Sequence, residues 1–258
     1  MEIVKLDLSA AYSIWLRDML CLSRQKLRLI GYSFAPFFLL AFLGLGFRNA
    51  SVLPEIEGMN YLSFITPGMM VMTLLFSCNT TSFAMLWDRE MGFLKEIMIT
   101  PISRSSIILG RTAVGITVAL FQSTIILLSG IAMGMELQNA EGFMLSFCFV
   151  ILITSAFIGL GLSLTSFVKD TFGFNFILQF LLYPLLFLSG ALYPVDRFPS
   201  FIAPLAYFNP LTYGVDGLRF SLLGVSSFNP ALDLGVMTIS CVAMLGLGTY
   251  LFEIGEWE

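Results

Sequence analysis

The sequence contains no histidine, little charge and no phosphate-binding loop. Only 12% of its 258 residues are Asp, Glu, Lys or Arg, whereas about 25% is usual in globular proteins. The pattern G-x-x-x-x-G-K-[S/T], whose backbone would hold the phosphates of ATP, does not occur. Since 57% of the residues are hydrophobic, the composition argues against a soluble domain, and the missing motif excludes a P-loop ATPase.

The four cysteines give no sign of a metal site. Cys21, Cys78, Cys148 and Cys241 are far apart, no two form a Cys-x-x-Cys pair, and histidine is absent as a second ligand. All four lie in or beside apolar segments, so we predict that they are buried packing thiols. We expect this chain to hold no metal, no cofactor and no catalytic residue, and to have no nucleic-acid partner.

The hydrophobic residues fall in blocks of about twenty, the length of helix that crosses the hydrocarbon core of a bilayer. The sequence therefore predicts an all-α membrane protein with six transmembrane helices. In the fourth span Ser155, Gly159 and Ser163 are spaced by four, which forms a ridge of small residues suited to close helix packing. The predicted spans are 29–47, 61–86, 106–134, 143–168, 173–190 and 231–252.

Residues 1–28 are too charged to span the membrane, and their charges also interrupt any secretory signal. Ile14 and Trp15 can share an apolar helix face, while the neighbouring Arg17 and Asp18 supply polar positions. This pattern favours an N-terminal helix that lies in the headgroup region. The alternative is a plain juxtamembrane tail.

The basic residues predict the orientation of the chain. With six spans both termini lie on one side, and that side would carry ten of the thirteen Lys and Arg residues. Cytoplasmic loops carry an excess of positive charge. We therefore predict a multi-pass protein of the cell membrane with both termini, including a short tail at 253–258, in the cytoplasm. The ten residues are Lys5, Arg17, Arg24, Lys26, Arg28, Arg89, Lys95, Arg104, Arg111 and Lys169.

The loop at 87–105, which includes WDREMGFLKEIMITPISR, is the densest run of charge and lies between the second and third spans. Trp87, Met91, Leu94 and Met98 recur at helical spacing, so a helix here would carry one apolar stripe and one charged face. Thr100-Pro101 should end this helix, because proline disfavours α geometry in the residue before it. The helix is expected either to dock a soluble partner that supplies energy or to lie on the headgroups as a solvated connector.

A second unusual segment, 191–229, has four prolines in its first twenty residues yet is apolar between them. We predict two short helices that enter the outer membrane edge and turn back, since non-helical backbone at that depth must be buried in protein or face water. In the stretch NPLTYGVDGLR, Asn209 would cap a helix beginning at Pro210, and Asp216 would pair with Arg219. The stretch is a well-capped helix, an outer gate, or both, and the gate residues would be Asn209, Pro210, Tyr213, Asp216 and Arg219.

Away from their ends the spans contain almost no ionisable residue, which disfavours a channel or an ion-coupled carrier. Arg111, near the start of the third span, is expected to snorkel to the interface. Polar residues of the second and fifth spans could line a cargo path, although polar side chains also join helices by hydrogen bonds in bilayers. The candidates are Asn79, Thr80, Asn175 and Gln179.

Three stretches resemble the membrane subunits of type-2 ATP-binding-cassette exporters, especially the drug-resistance (daunorubicin-type) permeases. They are DREMGFLKEIMITPISRSSIILGR, NPLTYGVDGLR and the N-terminal part from Trp15-Leu16-Arg17-Asp18 through Pro36 to Gly44-Leu45-Gly46. The resemblance extends over nearly the whole chain. It implies a permease with six spans, an N-terminal interfacial helix and a re-entrant hairpin between spans five and six.

The resemblance further implies a functional unit of two permease subunits, as a homodimer, with two copies of a separate cytoplasmic ATPase that binds ATP and magnesium. The cargo would be hydrophobic or amphipathic, drug- or lipid-like. Export of polysaccharide or ions, or a membrane scaffold without transport, are the alternatives. The coupling residues implied by the family are Asp88, Arg89, Glu90, Met91, Gly92, Phe93, Leu94, Lys95, Glu96, Met98 and Pro101. If this helix docks, we expect Met91, Leu94 and Met98 to be buried in a groove of the ATPase, with Asp88, Glu90, Lys95 and Glu96 paired at its rim.

Overall fold

The computed structural model describes residues 7–47, 60–100, 102–135, 137, 142–168 and 170–254, with every side chain in these ranges except those of residues 26–30, 32, 95 and 98. These ranges are helical and contain no strand, which confirms the all-helical prediction. A π-helical turn, Leu40–Leu45, continues α2, and a 3-10 turn, Val195–Arg197, precedes α8. The helices are α1 (Leu8–Arg24), α2 (Lys26–Leu39), α3 (Tyr61–Glu90), α4 (Phe93–Ile99), α5 (Arg104–Ala132), α6 (Gly142–Thr165), α7 (Thr171–Leu188), α8 (Ala203–Phe208), α9 (Pro210–Leu223) and α10 (Pro230–Ile254).

Among the described residues, five helices are long and apolar enough to cross a bilayer, namely α3, α5, α6, α7 and α10. The chain is therefore a multi-pass membrane protein. The predicted first span falls on α2 and the π-helical turn, whose apolar part, Ser33–Leu45, is shorter than the other five. Pro36 lies inside α2 and removes one backbone donor from it.

Capping side chains fix where several helices begin. The side-chain oxygens of Asp7, Ser103, Asp170 and Asn209 each accept a backbone N–H from the first turn of the helix that follows. The predicted cap at Asn209 and the predicted helix start at Pro210 are confirmed. Within 191–229 the chain forms the two helices α8 and α9, while their entry into the membrane edge stays a prediction.

The helix α3 forms the centre of the bundle. It is buried along most of its length and packs against α2, α5, α6, α7 and α9. The helix α1 lies against α5, and α10 packs on α6 and α9. A displacement of α3 therefore reaches most of the other helices directly.

The helices α6 and α10 pack with their backbones in near contact at two glycines. A Cβ atom on Gly159 would lie 2.6 Å from the backbone nitrogen of Leu245, and one on Gly248 would lie 2.6 Å from the carbonyl oxygen of Gly159. Glycine permits this approach because it carries no Cβ. The small-residue ridge predicted around Gly159 does receive another helix.

The prediction that one helix carries the stripe from Trp87 to Met98 is wrong. The helix α3 runs on to Glu90, beyond the predicted end of the second span, and α4 is a separate short helix. Gly92 adopts a φ of 77° between them, a left-handed conformation that glycine reaches without steric cost.

The end of α4 agrees with the sequence. The helix stops at Ile99, and Thr100 has the extended backbone expected of a residue before proline. Pro101 itself lies outside the described residues.

The prediction of four buried cysteines is wrong for most of them. Cys78 is buried, Cys241 is half-buried, and Cys21 and Cys148 are exposed. The cysteines do lie in or beside apolar helices, but each helix also has a face that points away from the bundle. Cys21 and Cys148 lie on such faces.

Candidate functional site

Four charged side chains from three helices meet where α3 ends and α5 begins. Arg111 on α5 donates from Nη1 to Oδ2 of Asp18 on α1 at 2.7 Å, and from Nη2 to Oδ2 of Asp88 on α3. Arg17 on α1 donates from Nη2 to the same Asp88 oxygen at 2.9 Å and from Nε to Asp18 Oδ1 at 2.8 Å. Each carboxylate is thus bound by both guanidinium groups. We refer to Arg17, Asp18, Asp88 and Arg111 as the ionic cluster.

Because the ionic cluster is largely buried, breaking one of its ion pairs should strongly destabilise the fold. The Arg111 side chain is only 4% exposed, so the prediction that it snorkels to the interface is wrong: two carboxylates lie within its reach inside the protein. Removing one partner of a buried ion pair costs about 3–5 kcal/mol, because the other charge stays buried without compensation. Burial by itself would lower the pKa of Arg17, but Asp18 and Asp88 more than offset this effect and the pKa is raised.

The ionic cluster also contacts α4. The Arg17 guanidinium lies 4.4 Å from the ring centroid of Phe93, the first residue of that helix, a distance suited to a cation–π interaction. Arg17 therefore contacts α3 through Asp88 and α4 through Phe93.

The charges at the end of α3 bind neighbours within the chain. Arg89 donates from Nη1 to the carbonyl oxygen of Thr165 at 3.1 Å, and Glu90 Oε1 accepts the backbone N–H of Thr171 at 3.3 Å. With Asp88 in the ionic cluster, three consecutive residues contact α5 and α1, the end of α6, and the start of α7. The expectation that Asp88 pairs at a partner's rim is therefore wrong, because two arginines of this chain bind its carboxylate. Glu90 accepts the N–H of Thr171 but stays exposed.

The residues of α4 and of the short connection before it differ sharply in exposure. Leu94 is 1% exposed and belongs to the core of this chain, so the expectation that it enters a partner's groove is wrong. Met91 is 62% exposed and Ile99 is 85% exposed, and Glu96 is exposed as well. The side chains of Lys95 and Met98 lie outside the described part of the chain.

The predicted gate residues are engaged in a network around the start of α9. Asn209 donates from Nδ2 to the carbonyl oxygen of Leu185 at 2.7 Å while its Oδ1 accepts the N–H of Leu211 at 3.0 Å. Tyr213 donates its hydroxyl to the carbonyl oxygen of Tyr207 at 3.0 Å. These bonds tie α9 to the end of α7 and to α8.

The predicted pair of Asp216 and Arg219 is confirmed, with 3.8 Å between Oδ1 and Nη1. Each of the two residues also forms other hydrogen bonds. Asp216 accepts the backbone N–H groups of Ser227 and Phe228, which fixes the loop before α10. Arg219 donates to the carbonyl oxygen of Gly190 at 3.0 Å. Several hydrogen bonds therefore hold the segment at 191–229 in place.

The four candidates for a cargo path do not share one surface. Asn79 and Gln179 line a narrow groove between α3 and α7. Thr80 faces the opposite side of α3, where it lines a larger cavity. Asn175 donates to the carbonyl oxygen of Thr171 in its own helix at 3.3 Å.

Two features were missed by sequence reasoning. The ionic cluster joins residues that are up to 93 positions apart in sequence. The only signal for it was that charged residues of both signs lie beside the ends of the predicted spans. Asp233, in the first turn of α10, is fully buried, and its carboxylate oxygens have no hydrogen-bond partner among the described residues. The partial positive charge at a helix N-terminus favours a carboxylate there.

Comparison with known proteins gives a match to the family model described as "ABC-2 type transporter" over residues 10–223. A transport permease, ycf38, of Cyanophora paradoxa is 33% identical over 77% of this chain and 69% of that protein. Nodulation protein J of Rhizobium leguminosarum bv. viciae is 27% identical over 93% of both chains. The inner membrane transport permease YadH of Escherichia coli (strain K12) is 26% identical over 84% of both chains.

Proposed function

The chain belongs to the ABC-2 type transporter family, and from that premise we propose that it is the membrane permease subunit of an ATP-driven exporter. It forms the path for a hydrophobic or amphipathic cargo, drug- or lipid-like. Its energy comes from a separate ATPase subunit, which carries ATP and magnesium, so the chain is not itself an enzyme. Two copies of the chain and two copies of the ATPase form the complex in the cell membrane.

The observation that carries this proposal is the ionic cluster together with the contact between Arg17 and Phe93. A force applied to α4 passes through Phe93 to α1 and through the short connection at Gly92 to α3. Because Asp88 and Asp18 are each held by Arg111, the ends of α1, α3 and α5 move together. The central helix α3 then carries the displacement into the bundle.

The ATPase docks on the exposed side of α4. Ile99 at the end of α4 and Met91 just before it present exposed apolar side chains, and Glu96 adds an exposed charge. Apolar anchors with a polar rim are the usual composition of a protein–protein contact. Leu94, facing the other way, fastens α4 to the permease.

The orientation follows from the basic residues. In the six-span arrangement, ten of the thirteen Lys and Arg residues are assigned to the side of α1, α4 and the termini, which is the cytoplasmic side by the positive-inside rule. In this arrangement α2 with its π-helical turn is the first of six spans, and 191–229 is a re-entrant hairpin at the outer surface. Its bonds from Asn209, Tyr213, Asp216 and Arg219 keep the outer gate closed until the spans tilt.

The experiment uses the full chain co-expressed with a candidate ABC ATPase subunit. The double variant Met91→Asp, Ile99→Asp is expected to lose co-purification of the ATPase and the stimulation of ATP hydrolysis, while membrane insertion is retained. Leu137→Asp, at an exposed apolar residue in the loop after α5, is the matched control and should leave both unchanged. Normal co-purification with the double variant would refute docking on this surface.

A membrane scaffold that binds a soluble partner would use the same surface of α4. ATP-dependent movement of cargo into inside-out vesicles that contain both proteins separates the two functions. Movement supports the exporter, whereas binding without movement for any cargo of the drug, lipid, polysaccharide or ion classes favours the scaffold.

A further inference from the structure

Asp233, in the first turn of α10, is a buried acid for which the described part of the chain provides no partner. The residue is fully buried, and neither of its carboxylate oxygens forms a hydrogen bond with a described residue. The backbone donors at this helix start are already used, because Asn229 accepts the N–H groups of residues 231–233. The start of α10 is therefore capped by Asn229, and the Asp233 carboxyl group has no part in the cap.

Asp233 lies on the face of α10 that packs against α9. Met237, one turn further along α10, approaches Gly214 of α9 so closely that a Cβ atom on this glycine would lie 3.2 Å from the Met237 sulfur. The charge on α9 that acts on Asp233 is the carboxylate of Asp216, which has the same sign. A second negative charge at Asp233 would therefore be repelled by its neighbour.

The two aspartates differ in their partners. Asp216 is buried as well, but it accepts the backbone N–H groups of Ser227 and Phe228. Arg219, the only base on α9, lies 3.8 Å from Asp216 and forms no ion pair with Asp233. Asp216, Arg219 and Asp233 are thus two buried acids with one buried base, and the acid without a partner is Asp233.

The other helices packed against α10 are α5 and α6, and neither supplies the missing positive charge. The ionisable residue of α6 is Cys148, which is exposed. The ionisable residues of α5 are Arg104 and Arg111 near its start. Arg104 donates to the carbonyl oxygen of Phe252, at the opposite end of α10 from Asp233. The connection at 224–229 contains no ionisable residue.

The sizes of the opposing effects decide which form of Asp233 the fold can hold. The partial positive charge at a helix start favours an ionised carboxyl group by about two- to fivefold. Burial of an ion without a partner disfavours the ionised form by a factor on the order of a thousand. A buried group in this position loses its charge rather than remaining ionised, and a carboxylate loses its charge by binding a proton.

We propose that Asp233 is a proton-binding site of the folded chain, so that its carboxyl group, enclosed where α10 packs against α9, is protonated at neutral pH. The proton comes from water and forms an O–H bond on one carboxyl oxygen. The buried set of Asp216, Arg219 and Asp233 is then electrically neutral. This site belongs to the permease chain itself, so it is measured without the ATPase and without cargo.

Infrared spectroscopy of the full chain in nanodiscs tests the proposal directly, because a protonated carboxyl group and an ionised carboxylate absorb at different frequencies. At neutral pH, the spectrum of the chain minus that of Asp233→Asn should contain the band of a protonated carboxyl group. Asp196→Asn, at an exposed aspartate of the 3-10 turn, is the matched control and should give only carboxylate bands. A difference spectrum for Asp233→Asn without the protonated band would overturn the proposal.

The dependence of unfolding on pH is a second readout. The unfolded chain releases the Asp233 proton above about pH 4, whereas the folded chain keeps it and so binds one proton more. Each rise of one pH unit should therefore shift the equilibrium towards unfolding by up to about tenfold, relative to Asp233→Asn. Asp196→Asn should keep this dependence. Parallel curves for the unaltered chain and Asp233→Asn from pH 5 to pH 8 would show that no proton is held.

Two further outcomes would also contradict the proposal. Asn has the shape of a neutral aspartic acid, so Asp233→Asn should fold; failure to fold, with Asp196→Asn folding normally, would mean that the ionised carboxylate is needed. Stabilisation of the unaltered chain by sodium, potassium or calcium at neutral pH, absent in Asp233→Asn, would show that a metal cation takes the place of the proton.

Discussion

Arg111 of α5 and Asp18 of α1 are 93 positions apart in sequence and form an ion pair whose Nη1 and Oδ2 atoms are 2.7 Å apart. This contact fastens the N-terminal helix to one of the five helices that are long and apolar enough to cross a bilayer. With Arg17 and Asp88 it forms a network whose charges sum to zero. The stability of this end of the bundle therefore depends on all four residues being present.

The first prediction concerns the coupling between Arg111 and Asp18. Arg111→Gln should lower the free energy of unfolding by about 3–5 kcal/mol, since it leaves buried carboxylates short of a partner. The double variant with Asp18→Asn should lose much less than the sum of the two single variants. Thermal and denaturant unfolding of the detergent-purified chain measures this. Additivity within about 0.5 kcal/mol would mean that the two side chains do not interact.

The second prediction concerns the break between α3 and α4. Gly92→Ala meets no steric obstacle but must hold a left-handed backbone, at a cost of about 1–2 kcal/mol. Gly224→Ala, at a φ of 73° with equally open surroundings, should lose similar stability. Under the proposed function, Gly92→Ala alone should reduce the stimulation of the ATPase, because the strain favours a right-handed backbone at residue 92, which would redirect α4.

ATPase assays beside unfolding curves for the two glycine variants check this. Equal loss of stimulation in both would show that the effect comes from general destabilisation.

The third prediction concerns the contact of α6 with α10. Gly159→Ala should destabilise the chain by about 1–3 kcal/mol, as expected for overpacking, because the new methyl group would meet backbone atoms of Leu245. Gly246→Ala has nothing within 4 Å and should stabilise its helix by about 0.5–1 kcal/mol. Opposite signs in thermal unfolding confirm the close approach, and like signs contradict it.

The fourth prediction concerns the cap of α9. Asn209→Ala removes both the cap and the bond to Leu185, and should cost at least about 1 kcal/mol. Asn209→Ser keeps an oxygen that can accept the N–H of Leu211 and should recover most of the capping part. Unfolding midpoints of the two variants compare these terms. If serine is no better than alanine, the bond to Leu185 is the larger contribution.

The sequence was sufficient wherever the physical cause is local. Asn209 followed by Pro210 predicts a helix start from two adjacent residues. Asp216 and Arg219 are one helical turn apart, so their ion pair could be predicted as well. Runs of apolar residues likewise predicted the five long helices, because the length of a run determines whether it can span. The spacing of small residues by four predicted the ridge at Gly159.

Contacts between distant segments were beyond this reasoning. Periodicity around Leu94 predicted an apolar face but could not say whether that face meets a partner or the permease itself. The same spacing concealed the helix break at Gly92. The apolar residues keep a regular helical spacing across this position in the sequence, although the backbone turns there. The burial of Arg111 follows only once α1 and α3 are placed beside α5.

The touching backbones of Gly159 and Gly248 have a mechanical consequence. Side chains can slide past each other by changing rotamers, but main chains in contact have no such freedom, so we expect α6 and α10 to translate and rotate together. Any alternation between conformations must then be distributed over the remaining helices. We expect this pair to serve as the stationary part of the molecule, against which the helices tied to the ionic cluster move.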